Sequence, residues 1–173
     1  MMAVAGRETA GLEFDALVKE HRAMVFSLAY HFLHDRGVAE EVAQEVFLSL
    51  HRNLDRVESA EHARFWLRQA TVRRSIDEAR RRKRRPQLAL DQVAEPAAAP
   101  FGRDPMLGEA LRRLIAALPE APRMAMVLRY QEDLDPPEIA RVLDMPVATV
   151  KSHLHRSLTL LREKLARRGV GEA

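Results

Sequence analysis

The chain has 173 residues with 47% hydrophobic content, enough for one domain or two small packed ones, and a net charge of only +3. No apolar run reaches the length of a bilayer span, and the N-terminal MMAVAGRETAG lacks the charged start and apolar core of a signal peptide, so a cytoplasmic location is expected. Cysteine is absent, which excludes disulfides, thiolate metal sites and thiol redox switching.

Apolar residues recur at helical spacing from Phe14 through Leu17, Val18, Met24, Val25, Leu28 and Phe32, then at Ala39, Val42, Val46 and Leu50. This predicts two amphipathic helices joined by the stretch His34 to Gly37. The polar run NLDRVESAEH follows, and a third long helix is predicted to begin near Phe65, Trp66 and Leu67 and to end in RRRKRR before Pro86. Residues 86–104 are rich in Pro and Ala with no helical apolar period, the composition of a flexible linker. A fourth helix is marked by Met106, Leu107, Ala110, Leu111, Leu114, Ile115 and Leu118. Pro119 punctuates, and Met124, Val127 and Leu128 mark a fifth. No strand pattern competes. The predicted fold class is all-α: two small helical domains, residues 1–85 and 105–173, joined by the linker.

The C-terminal domain carries the most specific signal, DPPEIARVLDMPVATVKSHLHRSL from Asp135 to Leu158. Asp135 can cap a helix, Pro136 and Pro137 suit a first turn with spare N–H groups, and Glu138 completes a capping box. Ile139, Val142 and Leu143 supply an apolar face, Ala140 allows a close crossing, and Asp144 tolerates a left-handed turn. Pro146 restarts the chain. Val150, Leu154, Leu158, Leu161 and Leu165 then form one predicted buried stripe, with Lys151, Ser152, His155 and Arg156 on the opposite side. This is a helix-turn-helix whose second helix presents donors outward, as reading base edges and phosphates requires.

Charge is segregated elsewhere. From Arg68 to Arg85 there are nine Lys/Arg against two acids, whereas Asp35 to Glu45 holds four acids and one Arg. The basic segment suits a polyanion and the acidic one does not. With Val42, Val46 and Leu50 inward, Glu41, Gln44, Glu45 and Leu48 share the opposite face of the second helix. An exposed leucine among acids suits a protein contact, and a solvated acidic face with one stray leucine has the same pattern. Aromatics at the start of the third helix and cations at its end suit single-stranded DNA, through stacking and backbone neutralisation. Trp66 alone fits core packing better, and the basic run alone also fits a solvated helix end stabilised by the macrodipole.

Taken in order, AEEVAQEVFLSL, FWLRQA, LPEAPRMAMVLRY and the helix-turn-helix closely resemble the extracytoplasmic-function group of bacterial sigma factors, from Phe14 to Leu165 except for the linker. The resemblance implies an alternative sigma factor that directs promoter-specific transcription initiation. Its N-terminal domain would bind core RNA polymerase and the melted minus-10 element, its C-terminal domain the duplex minus-35 element, and an anti-sigma factor would control it. It assigns Glu41, Gln44 and Glu45 to core polymerase, where Leu48 on the same face is expected to join them, and Arg73, Arg74, Arg80 and Arg81 to minus-10 DNA, with the loop from Asn53 to His62 capturing an unstacked base. Lys151, Ser152, His155 and Arg156 match the positions that read minus-35 DNA, with Arg156 the base reader and Lys151 serving phosphates. The chain departs from the family pattern at Arg73, where Asn is frequent, and at Asp133 and Ala148, where Gly is.

Other classes fit less of the chain. His31 and His34 raise a metal site, but no third and fourth ligands accompany them, and no metal, cofactor or small-molecule substrate is expected. Without a glycine-rich phosphate loop or nucleophile elbow, the chain is expected not to be an enzyme. A stand-alone helix-turn-helix regulator binding a palindrome as a dimer is the alternative. A basic RNA- or membrane-surface-binding protein would leave the recognition helix unexplained.

Overall fold

The computed structural model describes the backbone of residues 5–85 and 105–167, with side chains from residue 14 in the first part and residue 108 in the second. The expected linker, 86–104, lies outside the described residues. Among these residues every regular element is helical: α1 (Ala5–Leu33), α2 (Arg36–Arg52), a 3-10 turn (Leu54–Arg56), α3 (Ala60–Lys83), α4 (Pro105–Ala116), α5 (Glu120–Tyr130), α6 (Pro136–Leu143) and α7 (Val147–Arg167). They divide into two compact units, α1–α3 and α4–α7. The all-α expectation holds.

In the first unit α1 packs against both α2 and α3. Val25 and Ala29 of α1 meet Ala39, Val42, Val46 and Leu50 of α2 and Leu67 of α3 in one cluster, and Leu28, Phe32, Ala63 and Val72 are buried as well. Each large side chain so buried contributes about 1.5–3 kcal/mol relative to exposure. The α1–α2 connection is tighter than expected, because Arg36 and Gly37 are already helical. His34 ends α1 in the left-handed conformation, φ 54°, with its N–H donating to the Tyr30 carbonyl at 2.8 Å. Asp35 then caps α2, its Oδ1 accepting from Val38 N at 3.0 Å.

The third helix begins at Ala60 rather than near Phe65. Its start is set by Ser59, whose Oγ accepts from His62 N at 3.0 Å, and Glu61 lies in the positive first turn. This opening turn is mostly exposed and polar, so it carries little apolar period.

In the second unit, α5 is buried at six consecutive positions from Arg123 to Leu128. A helix covered on all sides is the centre of its unit, and α5 is packed by α4, α6 and α7. The predicted capping box of α6 is present: Glu138 N donates to Asp135 Oδ1 and Asp135 N to Glu138 Oε2, both at 2.8 Å. Asp144 closes α6 in the left-handed region, φ 52°, as expected. Asp133 adopts the same conformation, φ 52°, in the α5–α6 turn. There Leu134 N donates to the Leu128 carbonyl and Arg129 to the Leu134 carbonyl, each at 3.1 Å. The α7 stripe differs from its expected form. Val150, Leu154 and Leu161 are buried, Leu158 and Leu165 are half-buried, and Ser157 is buried among them. Ser157 thus takes a place on the buried side of α7, and Leu158 lies partly exposed beside it.

Candidate nucleic-acid interface

The outer face of α7 is built by its inner one. With Val150, Leu154, Ser157 and Leu161 buried, the helical period turns Lys151, Ser152, His155 and Arg156 outward, and all four are exposed. The short α6 and its left-handed stop at Asp144 fix where α7 starts. Donors therefore stand in two successive turns on one convex helix face, dimensions that fit a major groove.

In the first unit, burial of Ala39, Val42, Val46 and Leu50 turns the other side of α2 to solvent. Glu41, Gln44 and Glu45 are exposed, and Leu48 beside them is 57% exposed. The acidic face is not isolated from the basic one. Arg74 of α3 donates to Glu45 of α2 at 2.5 Å, and a cleft of about 300 Å³ between the helices is lined by Glu41, Glu45, Arg74, Asp77, Glu78 and Arg81. Two groups of residues that the sequence separates by some thirty positions thus share one groove.

The four cations expected at the minus-10 element are held differently. Arg73, Arg80 and Arg81 are exposed, Arg81 also bonding Glu78 at 2.8 Å, and Arg74 is half-exposed and tied to Glu45. The basic run is not uniformly solvated. Arg82 turns inward to Asp35 Oδ2 at 2.7 Å. Composition hides this, but the α3 stripe Ser75, Ala79, Arg82 follows the helical period and points at it. Phe65 and Trp66 are half-buried, and Trp66 packs on the core, as its bulk suggested. The loop from Asn53 to His62 borders a hollow of about 340 Å³ whose walls include Leu17, Leu54, Val57 and Ser59.

His31 rests edge-on against Tyr30, centroids 5.6 Å apart, and burial lowers its pKa. No group of three or more His, Asp or Glu among the described residues is placed to hold a metal. No helix among them is long and apolar enough to cross a membrane.

The sigma-70 region 2 family model matches residues 17–85, and the sigma-70 region 4 model matches residues 108–161. The chain is similar to the RNA polymerase sigma-H factor of Pseudomonas aeruginosa, 30% identical over 83% of this chain and 81% of that protein. It is also 28% identical to the ECF RNA polymerase sigma factor SigW of Bacillus subtilis, covering 88% of each. With SigE of Mycolicibacterium smegmatis, likewise an ECF RNA polymerase sigma factor, it shares 30% identity over 94% of its length, spanning 65% of that longer chain. Among solved structures, the sigma factor RpoE in complex with the anti-sigma factor NepR from Bartonella quintana has a similar fold, with TM-score 0.70, 17% identity, and coverage of 89% and 97% of the two chains.

Proposed function

Since this chain belongs to the extracytoplasmic-function group of RNA polymerase sigma factors, a branch of the sigma-70 family, we propose that it binds core RNA polymerase and directs transcription from promoters that it recognises at two elements. Glu41, Gln44, Glu45 and Leu48 on α2 meet the polymerase. Arg73, Arg74, Arg80 and Arg81 on α3 meet the melted minus-10 strand, with the adjoining hollow taking an unstacked base. Lys151, Ser152, His155 and Arg156 on α7 meet the minus-35 duplex. The chemistry is recognition alone, with no bond made or broken by this chain. An anti-sigma factor completes the proposal, in keeping with the complex in which RpoE of Bartonella quintana was solved.

The observation that carries this reading is the paired presentation on α2 and α7. Each helix buries one stripe and exposes opposite it a face whose chemistry suits its partner: an apolar residue among acids for a protein, and donors for a duplex. The test is in-vitro transcription with core polymerase and a genomic template pool. Transcripts starting downstream of one shared two-part motif are expected. A chain that instead bound a palindrome tightly and gave no polymerase-dependent start would be a stand-alone regulator.

A further inference from the structure

Six consecutive cations, Arg80 to Arg85, close the third helix, and their like charges fall at helical spacing, as in Arg80 with Lys83. Such a turn tends to fray unless something anchors it. Local contacts hold it in part, among them Arg81 to Glu78 and the Arg84 side chain to the Arg80 carbonyl. A further contact reaches 47 residues back: Arg82 donates to Asp35 Oδ2 at 2.7 Å, in a contact that leaves the two side chains only 28% and 18% exposed. Asp35 is itself fixed, because its Oδ1 caps α2. With Arg82 drawn inward, Arg80, Arg81 and Lys83 are left on the exposed side of the same turn.

We infer that Asp35 and Arg82 form a positioning pair, which holds the last turn of α3 helical and aims its other cations at single-stranded DNA. This rests on the proposed role of Arg80 and Arg81 at the minus-10 element. Asp35 touches no DNA. It acts through Arg82, so an acidic residue here strengthens the binding of a polyanion.

That inversion makes the pair testable. Removing an acid raises the net charge by one and, by charge alone, tightens DNA binding. A positioning role predicts the opposite. The full-length chain and its Asp35→Asn, Arg82→Gln and doubly substituted variants would be titrated with a labelled thymidine oligonucleotide of about 12 nucleotides at several low salt concentrations. Asn keeps the α2 cap. Asp35→Asn is expected to weaken binding severalfold and to lower the salt slope, by about 0.7 for each phosphate that is no longer neutralised. In the Arg82→Gln background it should cost nothing further. Binding by Asp35→Asn as tight as that of the parent, or tighter, overturns the inference. So does a weakening that persists without Arg82, since Asp35 then acts by a route other than the pair. Arg80→Gln with Arg81→Gln is the separate control: if it binds undiminished, the assigned minus-10 role of these arginines fails, and the pair has nothing to aim.

Discussion

Among the described residues, three other than glycine sit in the left-handed region, His34, Asp133 and Asp144, and each follows or lies near the end of a helix. The Cβ of an L-residue is crowded there, and glycine relieves the strain. Asp133 is fully exposed and only loosely paired with Arg129, at 3.9 Å, so Asp133→Gly should raise the stability of the second unit by about 0.5–1 kcal/mol. Urea denaturation checks this, and a drop in stability would mean that the Arg129 pair outweighs the strain. His21 presents a different residue-scale effect. It is buried, its Nε2 has no hydrogen-bond partner, and burial is the main cause that pushes its pKa below 6.5, against the pull of Glu20 and with the push of Arg64 and Arg68. The unfolded chain therefore takes up this proton first as pH falls. Stability from a neutral His21 is whole above pH 6.5 and declines from there down to its lowered folded pKa. Thermal melts of His21→Leu should show a shallower fall than the parent as the pH drops below 6.5. Equal slopes would remove His21 as the source.

At the scale of single helices, both candidate binding faces can be probed without touching a core. Replacing Gln44 and Glu45 together by Ala should change stability by less than about 0.5 kcal/mol beyond what the Arg74 ion pair supplies, while weakening association with core polymerase. Undiminished association would take α2 out of the interface. On α7, Arg156→Ala should cost roughly 1–3 kcal/mol on the cognate minus-35 duplex and relax preference at one position. Lys151→Ala should weaken all duplexes alike and reduce the salt slope by about one. A uniform weakening for Arg156→Ala across sequences would make it another phosphate ligand. The faces of α2 and the capping box and turn before α7 were legible in the sequence, because burial there follows an apolar period and the caps use distinctive side chains. The start of α3 was not, since Ser59 and Glu61 act through the backbone in a turn with little buried surface. Nor were the ion pairs of Glu45 with Arg74 and Asp35 with Arg82 legible, because a periodic pattern reports which face a residue occupies and not which helix faces it.

For the molecule as a whole, two units with separate cores imply separate unfolding. Arg123 offers a handle on one of them. It is 8% exposed and donates to the Ala116 carbonyl at 3.3 Å, joining α5 to the end of α4, and burial lowers its pKa despite Glu120. Arg123→Ala should destabilise the second unit by roughly 1–3 kcal/mol. Calorimetry of the full chain should then show one transition moved to lower temperature and the other unchanged. If both move together, the units are thermodynamically coupled. The division into an α1–α3 and an α4–α7 group was readable from the interruption of apolar periodicity after Arg85, which requires no tertiary information.

The outward face of α7 also bears on how such a chain diversifies. Lys151, Ser152, His155 and Arg156 are exposed, while the volume that keeps α7 in place is supplied by Val150, Leu154, Ser157 and Leu161 beneath them. Substitutions on the outer set leave that packing intact, so under the proposed role of this face a duplicated gene copy can change its DNA target while its product stays folded. Substitutions in the inner set cost stability first, and target choice changes there only at the expense of the fold.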